Sequence, residues 1–70
     1  MYFIYITIDN ESSIQYCNAK EELDEIYEDM VFNVKISSNK ANTIIITKCK
    51  GTKDKYRVLK VFTKIKEKQI

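Results

Sequence analysis

An α+β fold, one amphipathic helix packed on a mainly antiparallel sheet, is what this 70-residue chain predicts. Three observations carry the expectation. Between Asn18 and Val31 the apolar residues Ala19, Leu23, Ile26, Tyr27 and Met30 recur at helical spacing, with acids filling nearly every other position. On either side lie short runs rich in Ile, Val, Thr, Tyr and Phe, the residue types that favour strands. Polar clusters separate those runs, and the one glycine falls in such a cluster.

Tyr2 to Ile8, YFIYITI, reads as a strand apolar on both faces. Asp9, Asn10 and Glu11 form a turn, and Ser12 to Cys17 returns as a second strand. A three-residue loop is the expectation, because it sets Ile14 beside Ile6 and Tyr16 beside Ile4, gathering the aliphatic residues on one face. The helix follows, with Asn18 as N-cap and Glu21 three residues on to complete a capping box. At Phe32 the period changes to two: Phe32, Val34 and Ile36 alternate with Asn33, Lys35 and Ser37, predicting a half-exposed third strand. Residues 38 to 42 make a polar turn, and Thr43 to Lys50 a fourth strand centred on Ile44, Ile45 and Ile46. Gly51 to Asp54 reads as a four-residue hairpin loop, with Lys50 facing Lys55 and Lys48 facing Arg57. Val58, Val61, Phe62 and Ile65 also fit a helical stripe. The β-forming composition and the preceding hairpin signal nevertheless favour a fifth strand over Lys55 to about Ile65, with a frayed tail to Ile70. The order is then β-β-α-β-β-β in a single small domain spanning residues 1–70.

Several classes of function lose support at once. No apolar run approaches a membrane span, and the apolar N-terminus has neither a basic lead nor a small-residue cleavage site. The expected location is therefore cytoplasmic, where Cys17 and Cys49 stay reduced as packed thiols. With no histidine and no CxxC pair, neither a metal site nor a cofactor is expected. Nor is catalysis: there is no neutral-pH imidazole base and no glycine-rich phosphate loop. Cys49 lies between Lys48 and Lys50, but strand alternation turns its thiol to the face opposite theirs.

What the sequence does supply is a charge map. Residues 1 to 32 hold one lysine against eight acids, a formal −7; residues 33 to 70 hold ten lysines and Arg57 against Asp54 and Glu67, a formal +9. The near-neutral total of +2 hides this segregation, which solubility alone does not require. Six carboxylates, Glu21, Glu22, Asp24, Glu25, Glu28 and Asp29, crowd the predicted helix. Their like-charge pairs at i, i+4 oppose the helix by a few tenths of a kcal/mol each. They form the candidate partner-binding surface, able to stand in for phosphates on a basic groove of a larger protein and to steer association through a long-range field. Lys48, Lys50, Lys53, Lys55 and Arg57, with Tyr56 as a stacking ring, form the alternative, a nucleic-acid-binding hairpin. Its lysine excess suits phosphate contact better than base reading.

The composition, with eleven Lys, eleven Ile and five Asn against one Arg and no Pro, favours AT-rich codons, as in low-GC bacteria, their phages and their plasmids. The expected function is that of a small non-enzymatic inhibitor which docks an acidic helix on a basic, nucleic-acid-handling protein. An anti-defence role such as that of an anti-CRISPR protein is the concrete instance. The alternative is a nucleic-acid-binding regulator. Charge segregation also permits self-association, either head to tail or as a closed homodimer.

Overall fold

The computed structural model describes residues 1–37 and 40–66. It shows the predicted class: strands β1 (Tyr2–Ile8) and β2 (Glu11–Cys17), helix α1 (Lys20–Ile36), then strands β3 (Thr43–Thr52) and β4 (Lys55–Ile65). The sheet is antiparallel throughout, in the order β2-β1-β3-β4, and α1 lies across one face. The segment from Lys55 is a strand, as its composition favours. Of the tail expected after it, residues 67–70 lie outside the described residues, as do 38 and 39 of the polar turn.

The third predicted strand does not form. Phe32 to Ile36 instead completes α1, so the described residues form four strands in the order β-β-α-β-β. The helical stripe simply continues: Val34 is four residues beyond Met30 and packs against the same core, while Phe32 and Ile36 are left exposed. Apolar residues at 32, 34 and 36 satisfy period two and, through Val34 alone, period 3.6. The extra turn is supported at its end, where the Ser37 N–H donates to the Asn33 carbonyl and Lys64 Nζ donates to the Val34 carbonyl at 2.9 Å. Lys35 in the last turn suits the helix dipole.

The helix also begins later than predicted. Ala19, in extended conformation, is the N-cap, and no side chain caps it, so the Asn18–Glu21 box is absent. Glu21 and Glu22 in the first turn still favour the positive end of the dipole.

A third departure sets the character of the sheet. The β1–β2 connection is a two-residue turn, so Ile6 faces Ser13, Tyr5 faces Ile14 and Phe3 faces Tyr16. Ile14 and Tyr16 therefore lie away from the helix, opposite to expectation. Asp9 makes the tight turn in the left-handed region at φ 52°, which a short polar side chain tolerates. Its carboxylate accepts from the Asn42 and Thr43 N–H groups at 2.9 and 3.0 Å, and its own N–H donates to the Thr43 carbonyl, fastening the turn to β3. Because β1 is apolar on both faces, hydrophobicity alone did not distinguish the two registers.

The β3–β4 hairpin likewise turns on two residues, Lys53 and Asp54. Lys50 faces Arg57 and, past a bulge between Lys48 and Cys49, Lys48 faces Lys60. These pairings replace the predicted Lys50–Lys55 and Lys48–Arg57. Gly51 lies within β3 rather than in the loop, at φ +121°, and a Cβ there would collide with the Lys55 carbonyl oxygen. Its N–H donates to the Met1 carbonyl at 2.7 Å, tying the hairpin to the start of β1.

Between helix and sheet, Leu23 and Tyr27 pack on Ile4, Cys17, Ile44 and Ile46, with Ile6, Ile26 and Met30 half-buried around them. This is the face expected from the helical stripe. Cys17 and Cys49 are both free and buried, on opposite faces of strands that β1 separates. Strands two apart lie roughly 9–10 Å from one another, too far for a disulfide. Burial pushes both thiols above their ordinary value, and Glu22 adds to the effect at Cys17.

Candidate functional site

Side-chain chemistry divides the molecule into three surfaces. The first is the outer side of α1. At 100° per residue, Glu21, Glu25 and Glu28 point away from the core stripe, with Asp29 beside them and Glu22 and Asp24 on the two flanks. All but Asp24 are exposed. Glu21, Glu25 and Asp29 stand one turn apart, about 6 Å between neighbours. Asp24 is spent inside the molecule: its Oδ1 accepts from Lys48 Nζ at 2.8 Å. That hydrogen bond holds the Asp24 carboxyl below its ordinary value.

The same outer face has an apolar half that sequence reasoning missed. Phe32 and Ile36 follow Glu28 at successive i+4 steps and are 60% and 65% exposed. Reading 32–37 as a strand removed them from this face. Once the helix runs to Ile36, positions 21, 25, 28, 32 and 36 form a second stripe, acidic at its start and apolar at its end. The spacing of Phe32 and Ile36 from Glu25 and Glu28 was the available signal.

The second surface is the basic strip of β3 and β4 beside the helix. The structure splits the residues grouped by the sequence. Lys48 lies beneath α1, bound to Asp24 and with its ammonium 5.0 Å from the centre of the Tyr27 ring; Lys60, across the strand pair, lies 6.0 Å from the same ring. An acid and an aromatic face thus ease the like-charge juxtaposition of Lys48 and Lys60. Tyr27 is pushed towards higher pKa by burial, against an opposing pull from Lys48. Lys50, Lys55 and Arg57 share an open concavity at the hairpin end, bordered also by Gly51 and Tyr56. Tyr56 turns its ring to the opposite face, edge-on to Phe3 at 5.3 Å, and Lys53 borders that face too.

The third surface is the sheet face that α1 leaves open. Phe3, packed against the rings of Tyr16 and Tyr56, and Cys49 form its floor, buried at 2% and 1%. Around them Tyr5, Ile14, Val58 and Val61 are exposed, enclosing a hollow of about 440 Å³.

Among the described residues, no group of three or more Cys, Asp or Glu side chains is placed to hold a metal ion, and no helix is long and apolar enough to cross a membrane. No family model matches the chain, and no curated protein or solved structure is detectably similar to it.

Proposed function

We propose that this protein is a small non-enzymatic inhibitor that docks the outer face of α1 on a basic surface of a larger, nucleic-acid-handling protein. The observation that carries this reading is the stripe Glu21, Glu25, Glu28, Phe32 and Ile36, with Asp29 alongside. Its carboxylates lack internal partners among the described residues, and its apolar end is exposed on a rigid helix. Carboxylates steer the encounter with a cationic groove and displace the phosphates it normally holds. Phe32 supplies the buried aromatic anchor from which interfaces draw much of their affinity. The setting is the cytoplasm, where the thiols stay reduced. An anti-defence role of the anti-CRISPR kind, acting on a nuclease or its nucleic-acid channel, is the concrete instance.

A second reading, a nucleic-acid-binding regulator, is favoured by one observation: Lys50, Lys55 and Arg57 share one concavity that no acid borders among the described residues. The test is capture from lysate of a low-GC bacterium with three baits: the native chain, Glu22→Lys/Glu25→Lys/Asp29→Lys, and Lys50→Gln/Lys55→Gln/Arg57→Gln. The inhibitor reading expects one large basic protein on the native and hairpin baits and none on the helix bait. Nuclease-sensitive nucleic acid lost only from the hairpin bait would replace it with the regulator.

A further inference from the structure

The four strands send no charged residue to the face opposite α1. Their registers place there Phe3, Tyr5 and Thr7 of β1, Ser12, Ile14 and Tyr16 of β2, and only Thr, Ile, Cys, Gly, Tyr and Val from β3 and β4. Every charge those strands carry falls on the helix side. Six large side chains on this face, Tyr5, Ile14, Tyr16, Tyr56, Val58 and Val61, are each 36% to 54% exposed. Soluble monomers rarely leave so continuous an apolar patch open to water.

We infer that this face is the interface of a two-fold homodimer in which two sheets pack against each other. Area supports a second copy. Four strands at about 4.8 Å spacing, paired over seven or more residues at about 3.4 Å each, present on the order of 500–600 Å². Two such faces remove about 1,000–1,200 Å² from water, enough for a specific, modest-affinity interface. Charge supports it too. A two-fold contact sets a patch against itself, which repels where the patch is charged and costs nothing here. The acidic part of the outer helix and the basic strip would each repel their own copies, whereas this uncharged face does not. Sheets packed in this way lie about 10 Å apart, and the hollow over Phe3 and Cys49 receives side chains from the facing sheet. The pair then carries its two acidic helices on opposite outer faces.

Sedimentation equilibrium of the native chain from 5 to 500 µM tests the inference without any partner. The expected mass rises to twice the 8.3 kDa of one chain, and 0.5 M NaCl leaves the association intact or strengthens it. Val61→Lys, on the edge strand β4, and Tyr5→Lys, on the inner strand β1 across the hollow, should each weaken the dimer at least 100-fold while circular dichroism stays native. Glu25→Lys on the outer helix should leave it unchanged. A native chain that stays monomeric at 500 µM overturns the inference. So does a dimer that persists in folded Val61→Lys and Tyr5→Lys, or one dispersed by salt, the mark of helix-to-hairpin association.

Discussion

Leu23 is fully buried at the centre of the cluster formed by Ile4, Cys17, Tyr27, Ile44 and Ile46, so its truncation probes the helix-on-sheet core directly. Leu23→Ala withdraws three buried carbons, about 2.4 kcal/mol at about 0.8 kcal/mol each. The void adds about 1 kcal/mol for every 40 Å³ that the surroundings fail to fill. Collapse is limited here, because the floor of the site is the hydrogen-bonded centre of β1 and β3. The expected total is about 3–4 kcal/mol. A chain of this length has a stability of only about 3.5–10 kcal/mol, so the variant stands near the edge of folding. At 4–8 °C per kcal/mol, the melting temperature should fall by about 12–30 °C in thermal unfolding followed by far-ultraviolet circular dichroism. A melting temperature within about 2 °C of the native value would show that α1 does not bury this side of its stripe.

Three further outcomes follow from other parts of the structure. Asn33→Pro places a proline inside the last turns of α1 and should cost about 3 kcal/mol or more by urea unfolding; a negligible cost would mean that residues 32–37 are not helical. Phe32→Ala, at an exposed position, should change stability by less than about 0.5 kcal/mol while raising the dissociation rate from the partner by about tenfold or more; an unchanged dissociation rate would remove Phe32 from the interface. The raised thiols of Cys17 and Cys49 hold their protons longer in the folded than in the unfolded chain. Stability should therefore be fully present below about pH 8.5 and decline as pH rises above it, with Tyr27 adding a loss of the same sign above about pH 10. Urea titrations at pH 7.5 and 10 test this, and a Cys17→Ala/Cys49→Ala chain should show a smaller decline. Equal pH dependence in the two chains would refute the thiol assignment.

The class of fold was legible because the Leu23–Tyr27 stripe fits the helical period and the runs around Ile6 and Ile45 are rich in strand-forming β-branched and aromatic residues. Where a segment fitted two periods, the sequence misled. Phe32, Val34 and Ile36 alternate, yet Val34 also lies one turn beyond Met30, and burying it against the core extends the helix. The β1–β2 register was illegible for a related reason. With aromatic or aliphatic residues on both faces of β1, moving Ile14 and Tyr16 from one face to the other exchanges one apolar neighbourhood for another. The backbone of Asp9 and its bonds to Asn42 and Thr43 then select the two-residue turn. That choice creates the open apolar face, which could not be seen until the register was known.

The charge map was legible residue by residue, but not the pairing within it. Placing Asp24 on Lys48 required knowing that α1 crosses over β3. Of the two groups nominated from sequence, the acidic one stays together on one rigid face, with only Asp24 withdrawn. The basic one is divided among the underside of the helix, the hairpin concavity and the rim of the open face. Continuity of the acidic stripe with Phe32 and Ile36 is a tertiary consequence of the longer helix. It gives the proposed docking surface both a steering and an anchoring half.

The most direct measurement on that proposal is the association rate between the chain and its captured partner as a function of ionic strength, by stopped flow. If the outer face of α1 docks on a cationic groove, the native association rate falls steeply as salt rises from 0.02 to 0.5 M. Glu22→Lys/Glu25→Lys/Asp29→Lys, still folded because these positions lie off the core stripe, then associates at least tenfold more slowly at low salt, with the dependence flattened or reversed. A native rate insensitive to salt, or a reversed-charge helix that associates as fast as the native one, contradicts the account.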